Sequence, residues 1–327
     1  MGGDELLSAV FSKEARSRLD SVADVISDRV LTEFSSVRSH QVLHQVDALI
    51  TGWGSPMITE SVLELAPRLR LIAHSAGTVK AHIERSCWDR GITVTTAAHA
   101  NGIPVAQFTL AFILLAGKRT FDAARALHAN QAGFVKESLS HDVGNNGSTV
   151  GIIGASRIGR LVIELLRPFA FTVLLADPTV SEQEASELGV QLVSLDHLMA
   201  GSSVVSLHAP VLPSTIGMIA AKQLAAMKDG STFINTARGA LVDHDALRRE
   251  TATGRISAVL DVTSPEPLPN GDPLYAMPNV ILTPHIAGSM GNELTLMGDF
   301  AVTEIERFAA GQPNQYVVTR EALDLMA

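Results

Sequence analysis

The sequence predicts an α/β protein with two parallel sheets, and three observations lead to that prediction. Short apolar, β-branched runs recur along the chain and alternate with segments of helical periodicity. A glycine-rich turn, Val150-Gly-Ile-Ile-Gly-Ala-Ser-Arg-Ile-Gly159, joins one such run to a helix. Asp177 ends the next predicted strand, about twenty residues after the first glycine of the turn. We therefore expect a doubly wound, Rossmann-type parallel sheet with a second, smaller flavodoxin-like α/β domain.

The composition excludes several functional classes. At 327 residues, 46% of them hydrophobic, the chain is long enough for two domains with sizeable cores. Its net charge of −9 is spread without basic runs, so neither a nucleic acid nor an anionic membrane is an expected partner. The single cysteine, Cys87, leaves no internal disulfide and no cysteine-based metal site, and we predict no metal.

The sequence also favours a cytoplasmic location. Its start, Met1-Gly-Gly-Asp-Glu, lacks the basic residues and apolar core of a signal peptide. The longest apolar run, from Leu110 to Gly117, is shorter than the roughly 20 residues that span a bilayer. No membrane segment is therefore predicted.

Strands and helices alternate in the first hundred residues, which predicts the smaller sheet. The stretch from Ile58 to Ala66 is helical and ends at Pro67, because proline cannot continue a helix. The predicted strands are Ala48–Thr51, Leu71–Ala73 and Ile92–Thr96.

A long helix is predicted to connect the two halves of the chain. Asn101-Gly-Ile-Pro104 would open it, with Pro104 in the first turn, where proline is tolerated. From Val105 to Gly117 the sequence is apolar almost all round, so burial on most faces is expected. Such a helix fits a hinge between domains or a subunit contact. Residues Gly133 to Gly147 are expected to be irregular.

The second half of the chain repeats the strand–helix pattern with greater regularity. Asp243 is a good N-cap for a helix that ends near Thr253, and a last amphipathic helix runs from Glu293 to Ala310. That last helix can pack back on the first domain. The predicted strands are Val150–Ile153, Thr172–Ala176, Gln191–Val193, Val204–Leu207, Thr232–Asn235, Ile256–Leu260 and Val280–Thr283.

The glycine-rich turn predicts a dinucleotide site. Free N–H groups and the helix dipole at a helix N-terminus attract a pyrophosphate, and an acid after the next strand takes a ribose hydroxyl. The fingerprint is G-x-G-x-x-G, whereas this chain has Gly154, Ser156 and Gly159. Serine is small and its hydroxyl can donate to a phosphate. The alternative is an ordinary strand–helix crossover in which the glycines serve packing alone.

Ionisable residues follow several strands, where ligands bind in a doubly wound sheet. Arg238 suits two-pronged recognition of a carboxylate. A histidine beside a carboxylate, such as His285 with Glu266, can give and reclaim a proton at neutral pH. Asp261 and His208 also follow strands.

Each of these residues has a structural alternative. Arg238 could be a turn residue that caps a helix, and Glu266 could be a solvated charge. His285 and His208 could each bond a backbone group. Spacing alone does not bring Arg238, Glu266 and His285 together.

Four blocks of sequence resemble the D-isomer-specific 2-hydroxyacid dehydrogenase family, and the likeness extends over nearly the whole chain. The blocks are Val150–Gly159 with Asp177; Leu207-His-Ala-Pro210 with Thr215; Met227-Lys-Asp-Gly230, Ile234-Asn-Thr-Ala-Arg-Gly239 and Leu241-Val-Asp243; and Leu260-Asp-Val262, Glu266-Pro-Leu268 and Thr283-Pro-His-Ile-Ala-Gly288. Four blocks in the same order make this resemblance highly specific.

The resemblance implies an oxidoreductase that transfers a hydride between NAD(H) and a small D-2-hydroxy acid or 2-oxo acid. Arg238 would hold the substrate carboxylate, His285 would be the general acid/base, and Glu266 would support its protonated form. Asp177 would bind the adenosine ribose and repel the extra phosphate of NADP. Asp261 would bond the nicotinamide carboxamide.

The resemblance also implies contact residues, domain limits and assembly. The substrate-binding domain would comprise residues 1–100 and 289–327, the NAD-binding domain residues 101–288, and the protein would form a homodimer. The implied cofactor contacts are Gly154, Ser156, Arg157, Ile158, Gly159, Asp177, Pro178, His208, Ala209, Pro210, Thr215, Thr236, Ala237, Asp261 and Gly288. The residues expected to face the substrate are Trp53, Ser75, Ala76 and Gly77, although Trp53 could instead fill the core.

Other functions fit the same fold. An interaction protein that senses NADH would need the cofactor site but not the acid/base pair. Phosphite oxidation is a further alternative because Lys80 follows the substrate loop, whereas Glu266 speaks against formate, since formate enzymes of this family pair the histidine with glutamine. No cluster of basic residues accompanies the substrate loop, so a phosphorylated substrate is not expected.

Overall fold

A computed structural model describes residues 2–27, 29–133, 135 and 143–325 of the chain. The chain divides into two compact units. Unit 1 comprises Met1–Pro104 and Ser289–Ala327, and unit 2 comprises Val105–Gly288. Most of the segment predicted to be irregular, Gly133 to Gly147, lies outside the described residues.

Unit 1 contains a three-stranded parallel sheet in the order β1-β2-β3. Its strands are β1 (Ala48–Thr51), β2 (Leu71–His74) and β3 (Thr93–Thr96), so all three predicted strands are present. The helices before residue 98 are α1 (Asp4–Val10), α2 (Lys13–Val22), α3 (Val37–Leu43), α4 (Glu60–Leu65) and α5 (Ser86–Asp89). Helices α13 (Leu294–Ala309) and α14 (Ala322–Leu325) complete it.

The central strand β2 is buried on both faces. Leu71 and Ala73 pack in a core with residues of α1, α2 and α13, whereas Ile72 packs in a second core with residues of α3, α4 and α5. Arg18 of α2 holds α13 through Glu306 (2.6 Å) and Asp299 (3.3 Å). The N-terminal and C-terminal segments therefore cover the same face of this sheet.

Unit 2 contains a seven-stranded parallel sheet in the order β10-β9-β8-β7-β4-β5-β6. This doubly wound order confirms the predicted fold class. The strands are β4 (Thr149–Ile153), β5 (Thr172–Ala176), β6 (Gln191–Leu192), β7 (Val204–Leu207), β8 (Thr232–Asn235), β9 (Ser257–Leu260) and β10 (Val280–Leu282). The helices are α7 (Thr120–Asn130), α8 (Arg157–Leu166), α9 (Glu182–Leu188), α10 (Leu195–Gly201), α11 (Ala221–Ala226) and α12 (His244–Ala252). The order reverses between β4 and β7, which is where such sheets bind their ligands.

The connecting helix α6 (Ala98–Gly117) differs from the prediction in two ways. Thr96 Oγ1 accepts the N–H of Ala98 at 3.2 Å, so the helix begins earlier and Pro104 lies inside it rather than in its first turn. The helix is also not buried on most faces, because Gln107, Ala111 and Leu115 form an exposed stripe at four-residue spacing. Helix α7 follows at once and was not predicted.

By length and composition, α6 is the one helix of the described chain that could cross a membrane. Its buried residues instead contact protein: Ala106, Ile113 and Ala116 belong to a core of unit 2. Thr109 Oγ1 lies 2.9 Å from Thr236 Oγ1 in that unit. These contacts are those of a helix in a globular core.

Candidate active site

The glycine-rich turn after β4 has the geometry of a dinucleotide cradle. Gly154 adopts a φ of 93°, and a Cβ there would lie 2.7–2.9 Å from backbone atoms of His208 and Ala209. A Cβ at Gly159 would lie 2.1 Å from the carbonyl oxygen of Gly154. Both glycines are therefore required by close backbone approach, which leaves the N-terminus of α8 open for an anion.

Ser156, the departure from the fingerprint, is the N-cap of α8. Its backbone is extended (φ −60°, ψ 176°), so a side chain causes no strain there. Its hydroxyl accepts the N–H of Gly159 at 3.4 Å and keeps its own proton for donation. The serine is thus compatible with a pyrophosphate at this helix end. Arg157 and Ile158 follow it in the first turn of the helix.

Asp177 follows β5 and faces the same turn. One carboxylate oxygen accepts the N–H of Ala155 at 2.7 Å, and the other accepts the N–H and the hydroxyl of Thr179 at 2.8 and 2.7 Å. Burial alone would raise the pKa of Asp177, but these hydrogen bonds outweigh it and lower the pKa. The carboxylate is therefore ionised at neutral pH, which suits a ribose hydroxyl and disfavours a 2′-phosphate.

Substitution of Gly154 by alanine is expected to abolish NADH binding. The left-handed backbone would cost about 1–2 kcal/mol, and the contacts with Ala209 a further 1–3 kcal/mol or so. Fluorescence titration with NADH and urea unfolding would measure both effects. Gly189→Ala is the matched control, since Gly189 also has a positive φ of 75° but nothing lies within 4 Å of its Cβ position. Equal NADH affinity in Gly154→Ala and the native protein would contradict the assigned role of the turn.

The loop after β7 is shaped by its own polar groups. The His208 side chain is buried and its Nε2 lies 2.8 Å from Ser206 Oγ, while its backbone N–H donates to Ile153 O at 2.7 Å. Thr215 Oγ1 donates to Pro210 O at 2.6 Å and accepts the N–H of Leu212 at 2.8 Å. These two side chains therefore hold the loop, and their contact with the cofactor stays a prediction.

Acid is expected to destabilise the protein through two buried histidines. Burial lowers the pKa of His208 to about 3, and burial followed by the charge of His82 lowers that of His74 to about 3. Between pH 6.5 or so and pH 3, the unfolded chain binds two protons that the folded chain does not. Stability should thus fall by about 1.4 kcal/mol per histidine for each pH unit in that window.

Urea unfolding at pH 7, 6 and 5 would measure this slope. The variant His208→Gln should show a shallower pH dependence by about one proton. His128→Gln, at an exposed position of α7, is the control for the substitution itself. Identical slopes in all three proteins would refute the assignment.

The remaining predicted cofactor residues follow the carboxyl ends of strands in unit 2. Pro178 lies two residues after β5, Ala209 and Pro210 follow β7, and Thr236 and Ala237 follow β8. Gly288 is the last residue of the unit. Thr236 is the one residue of this group with a polar side chain, and its hydroxyl faces Thr109.

Arg238 lies just after β8 on a loop that a buried asparagine shapes. Asn235 Oδ1 accepts the N–H of Ala237, and its Nδ2 donates to Arg238 O, both at 3.0 Å. The half-buried guanidinium donates to Ala237 O at 2.6 Å. Burial lowers the pKa of Arg238, against the opposing charge of Glu266, but the group stays charged. Sequence reasoning missed Asn235, although an asparagine before a turn is a known signal.

The structure brings Glu266 and His285 together. Glu266 Oε1 lies 2.7 Å from His285 Nδ1, with 43% and 48% of the two side chains exposed. A Cβ at Gly239 would lie 2.1 Å from the carbonyl of Thr263, so this glycine lets the Arg238 loop contact the Glu266 loop. The three residues that spacing alone could not connect thus belong to one unit.

Asp261 holds the His285 loop in place. The carboxylate is 2% exposed and accepts the Thr283 hydroxyl (2.7 Å) and the N–H groups of Ile286 (2.8 Å) and Ala287 (2.9 Å). Its carbonyl accepts the N–H of His285 at 3.0 Å. His285 itself adopts a left-handed backbone, with a φ of 56°. The predicted bond from Asp261 to the nicotinamide stays a prediction.

In unit 1, the loop after β2 turns its carbonyl groups inward. Thr96 Oγ1 donates to the carbonyls of Ala76 (3.0 Å) and Gly77, and Ser75 Oγ donates to Thr51 O at 2.8 Å. Within the described residues, the N–H groups of Ala76 and Gly77 have no hydrogen-bond partner. Trp53 is 37% exposed, so it does not fill the core of this unit.

Comparison with known proteins places the chain in a family. The model of the family "D-isomer specific 2-hydroxyacid dehydrogenase, NAD binding domain" matches residues 110–287. The chain is 33% identical over 281 residues to the glyoxylate reductase of Korarchaeum cryptofilum. The matched region covers 85% of this chain and 84% of the relative. The chain is 32% identical over 268 residues to the D-3-phosphoglycerate dehydrogenase of Archaeoglobus fulgidus, covering 82% of this chain and 50% of the relative.

A solved structure supports the same placement. The phosphoglycerate oxidoreductase of Rhizobium etli superposes with a TM-score of 0.81 at 25% identity, over 95% of this chain and 94% of that one. The chain spans about half the length of the D-3-phosphoglycerate dehydrogenases that it matches. Unit 2 is an NAD-binding domain, which confirms the predicted cofactor. The protein therefore belongs to the D-isomer-specific 2-hydroxyacid dehydrogenase family.

Proposed function

We propose that the protein is an NAD-dependent dehydrogenase that interconverts a small 2-oxo acid and the corresponding D-2-hydroxy acid. The observation that carries this proposal is the 2.7 Å contact between His285 and Glu266, on the same unit as Arg238 and the NAD-binding turn. An NADH-sensing protein would need the turn but would have no use for such a pair.

The proposed roles follow from the chemistry of each group. When bound, NADH supplies the hydride that reduces the 2-oxo carbon. Arg238 binds the substrate carboxylate with its guanidinium. Burial excludes water and so strengthens the electrostatic attraction between the two groups. Glu266 accepts the Nδ1 proton of His285, so that Nε2 is the nitrogen that protonates the carbonyl oxygen. In the oxidative direction the same nitrogen takes the proton back.

For the substrate loop of unit 1, we propose that the N–H groups of Ala76 and Gly77, which have no partner among the described residues, bind the substrate carboxylate. Trp53, which is partly exposed, would contact the rest of the substrate. The loop from Ser75 to Lys80 carries a single cation, Lys80. We therefore propose an unphosphorylated substrate, although two of the relatives above are named for phosphoglycerate.

Oxidation of NADH, with NADPH in parallel, would test this function against glyoxylate, hydroxypyruvate, pyruvate, phenylpyruvate and 3-phosphohydroxypyruvate. Turnover with NADH, little with NADPH and a preference for one unphosphorylated acid is expected. Tight NADH binding without turnover of any acid in this panel would favour the alternative of an NADH-sensing protein. Reduction of NAD by phosphite would favour the phosphite enzyme instead.

We also propose a cytoplasmic homodimer. In the exposed stripe Gln107, Ala111 and Leu115 on α6, the last two residues are apolar, and an exposed apolar surface favours contact with a second copy. Leu115 is 38% exposed. Analytical ultracentrifugation should give twice the mass of the 34.7 kDa chain, and a monomer would contradict this proposal.

A further inference from the structure

His244 is a buried histidine to which the proposed mechanism gives no role. It is the first residue of α12, directly after the N-cap Asp243, and its side chain is 7% exposed. Its Nδ1 lies 3.1 Å from Val242 O. Its Nε2 accepts the backbone N–H of Ser264 at 3.2 Å. The ring therefore joins the start of a helix to the loop that carries Glu266.

These two contacts fix the protonation state of the ring. The backbone N–H of Ser264 can only donate, so Nε2 must be unprotonated. The ring proton then lies on Nδ1 and is donated to Val242 O. Burial lowers the pKa of His244, with Arg248 acting in the same direction and Asp272 and Asp243 against it. The neutral tautomer with hydrogen on Nδ1 is thus the native form.

The loop from Ser264 to Pro267 has few other attachments. Its four residues are exposed, and it is anchored at its ends by the buried side chains of Val262 and Leu268. Within the described chain, three side chains from outside this loop hydrogen-bond it: those of His244, His285 and Thr263, whose hydroxyl donates to Pro265 O at 2.9 Å. Thr263 adjoins the loop and moves with it, and His285 depends on the loop for its partner. His244 is therefore the attachment from another element that can set where that partner lies.

We propose that His244 is a positioning residue that, through the Ser264 N–H, holds Glu266 in contact with His285. This inference rests on the proposed function, since it assigns the contact to proton transfer. A displacement of a catalytic group by about 1 Å costs about a hundredfold in rate. Loss of the anchor should therefore reduce the rate of the chemical step and leave cofactor binding unchanged.

The test compares His244→Phe with His244→Gln. Phenylalanine fills the space but has no acceptor, whereas the amide oxygen of glutamine can accept the Ser264 N–H from about the position of Nε2. We expect His244→Phe to lower kcat about 10- to 100-fold, with KM for the 2-oxo acid and Kd for NADH within about twofold of native. His244→Gln should regain most of kcat. His197→Phe, at an exposed position of α10, is the matched control.

A second measurement separates failure of this inference from failure of the proposed function. Nitrogen-15 NMR of the histidines in the native protein should show His244 as the neutral tautomer with hydrogen on Nδ1, whether or not any 2-oxo acid is reduced. The opposite tautomer, or a native kcat in His244→Phe, would overturn the inference. An inactive native protein with the expected tautomer would overturn the proposed function and, with it, the catalytic purpose of the anchor.

Discussion

Replacement of His285 by alanine is expected to lower turnover of the 2-oxo acid by two to four orders of magnitude, the usual contribution of a positioned acid or base. In the proposed mechanism the imidazole gives the carbonyl oxygen its proton from Nε2, and Glu266 does not replace it because its carboxylate contacts the other ring nitrogen, Nδ1, at 2.7 Å. NADH should bind as in the native protein, since the NAD-binding turn does not involve His285. Steady-state kinetics and NADH fluorescence measure the two quantities separately.

Two further variants help to interpret the loss of turnover expected in His285→Ala. Glu266→Gln keeps an oxygen that can accept the Nδ1 proton but removes the charge, so its loss of kcat should be smaller than that of His285→Ala. His197→Ala removes an exposed histidine of α10 and should behave as native. Near-native turnover in His285→Ala would remove this residue from the mechanism.

Replacement of Arg238 by lysine should cost about a hundredfold in kcat/KM. The positive charge is kept, but an ammonium group cannot make the two parallel bonds by which a guanidinium orients a carboxylate. The bond from the guanidinium to Ala237 O, which orients the side chain, would also be lost. The substrate would then bind in several orientations, so kcat should fall as well as KM rise.

Arg167→Lys is the matched control for this prediction. Arg167 is the C-cap of α8, is exposed and lies in the same unit. Its replacement therefore makes the same arginine-to-lysine change away from the candidate site. Steady-state kinetics of the two variants with the preferred 2-oxo acid would give kcat/KM for each and so test the proposed role of Arg238. An unchanged kcat/KM in Arg238→Lys would assign the carboxylate to other groups.

Much of the fold could be predicted because its signals are local. All ten strands of the two sheets overlap predicted strands, and the regular strand–helix alternation predicts the doubly wound sheet. The effect of Ser156 on the glycine-rich turn could also be predicted, because it depends on the backbone conformation of this one residue, which serine can adopt. The prediction was wrong at α6, where Thr96 extends the helix upstream and the stripe Gln107, Ala111 and Leu115 is exposed.

The candidate site could be predicted less completely, since its contacts connect distant parts of the chain. Asn235, His244 and the loop-holding bonds of Asp261 are all side chain to backbone contacts, and periodicity contains no information about them. The N–H groups of Ala76 and Gly77 belong to the backbone, so the residue types at these positions do not indicate them as ligand contacts. The pairing of Glu266 with His285 is made plausible by their positions after strands and is implied by the family resemblance, but spacing alone does not predict it.

The left-handed backbone of His285 has a consequence for the stability of the protein. A side chain at a φ of 56° costs about 1–2 kcal/mol relative to an ordinary conformation, and an exposed contact such as that with Glu266 returns at most about 1 kcal/mol. Asparagine tolerates this conformation better than histidine does. An inactive His285→Asn variant should therefore melt at a temperature equal to or above that of the native protein. Selection for thermal stability alone would then remove the proposed proton donor.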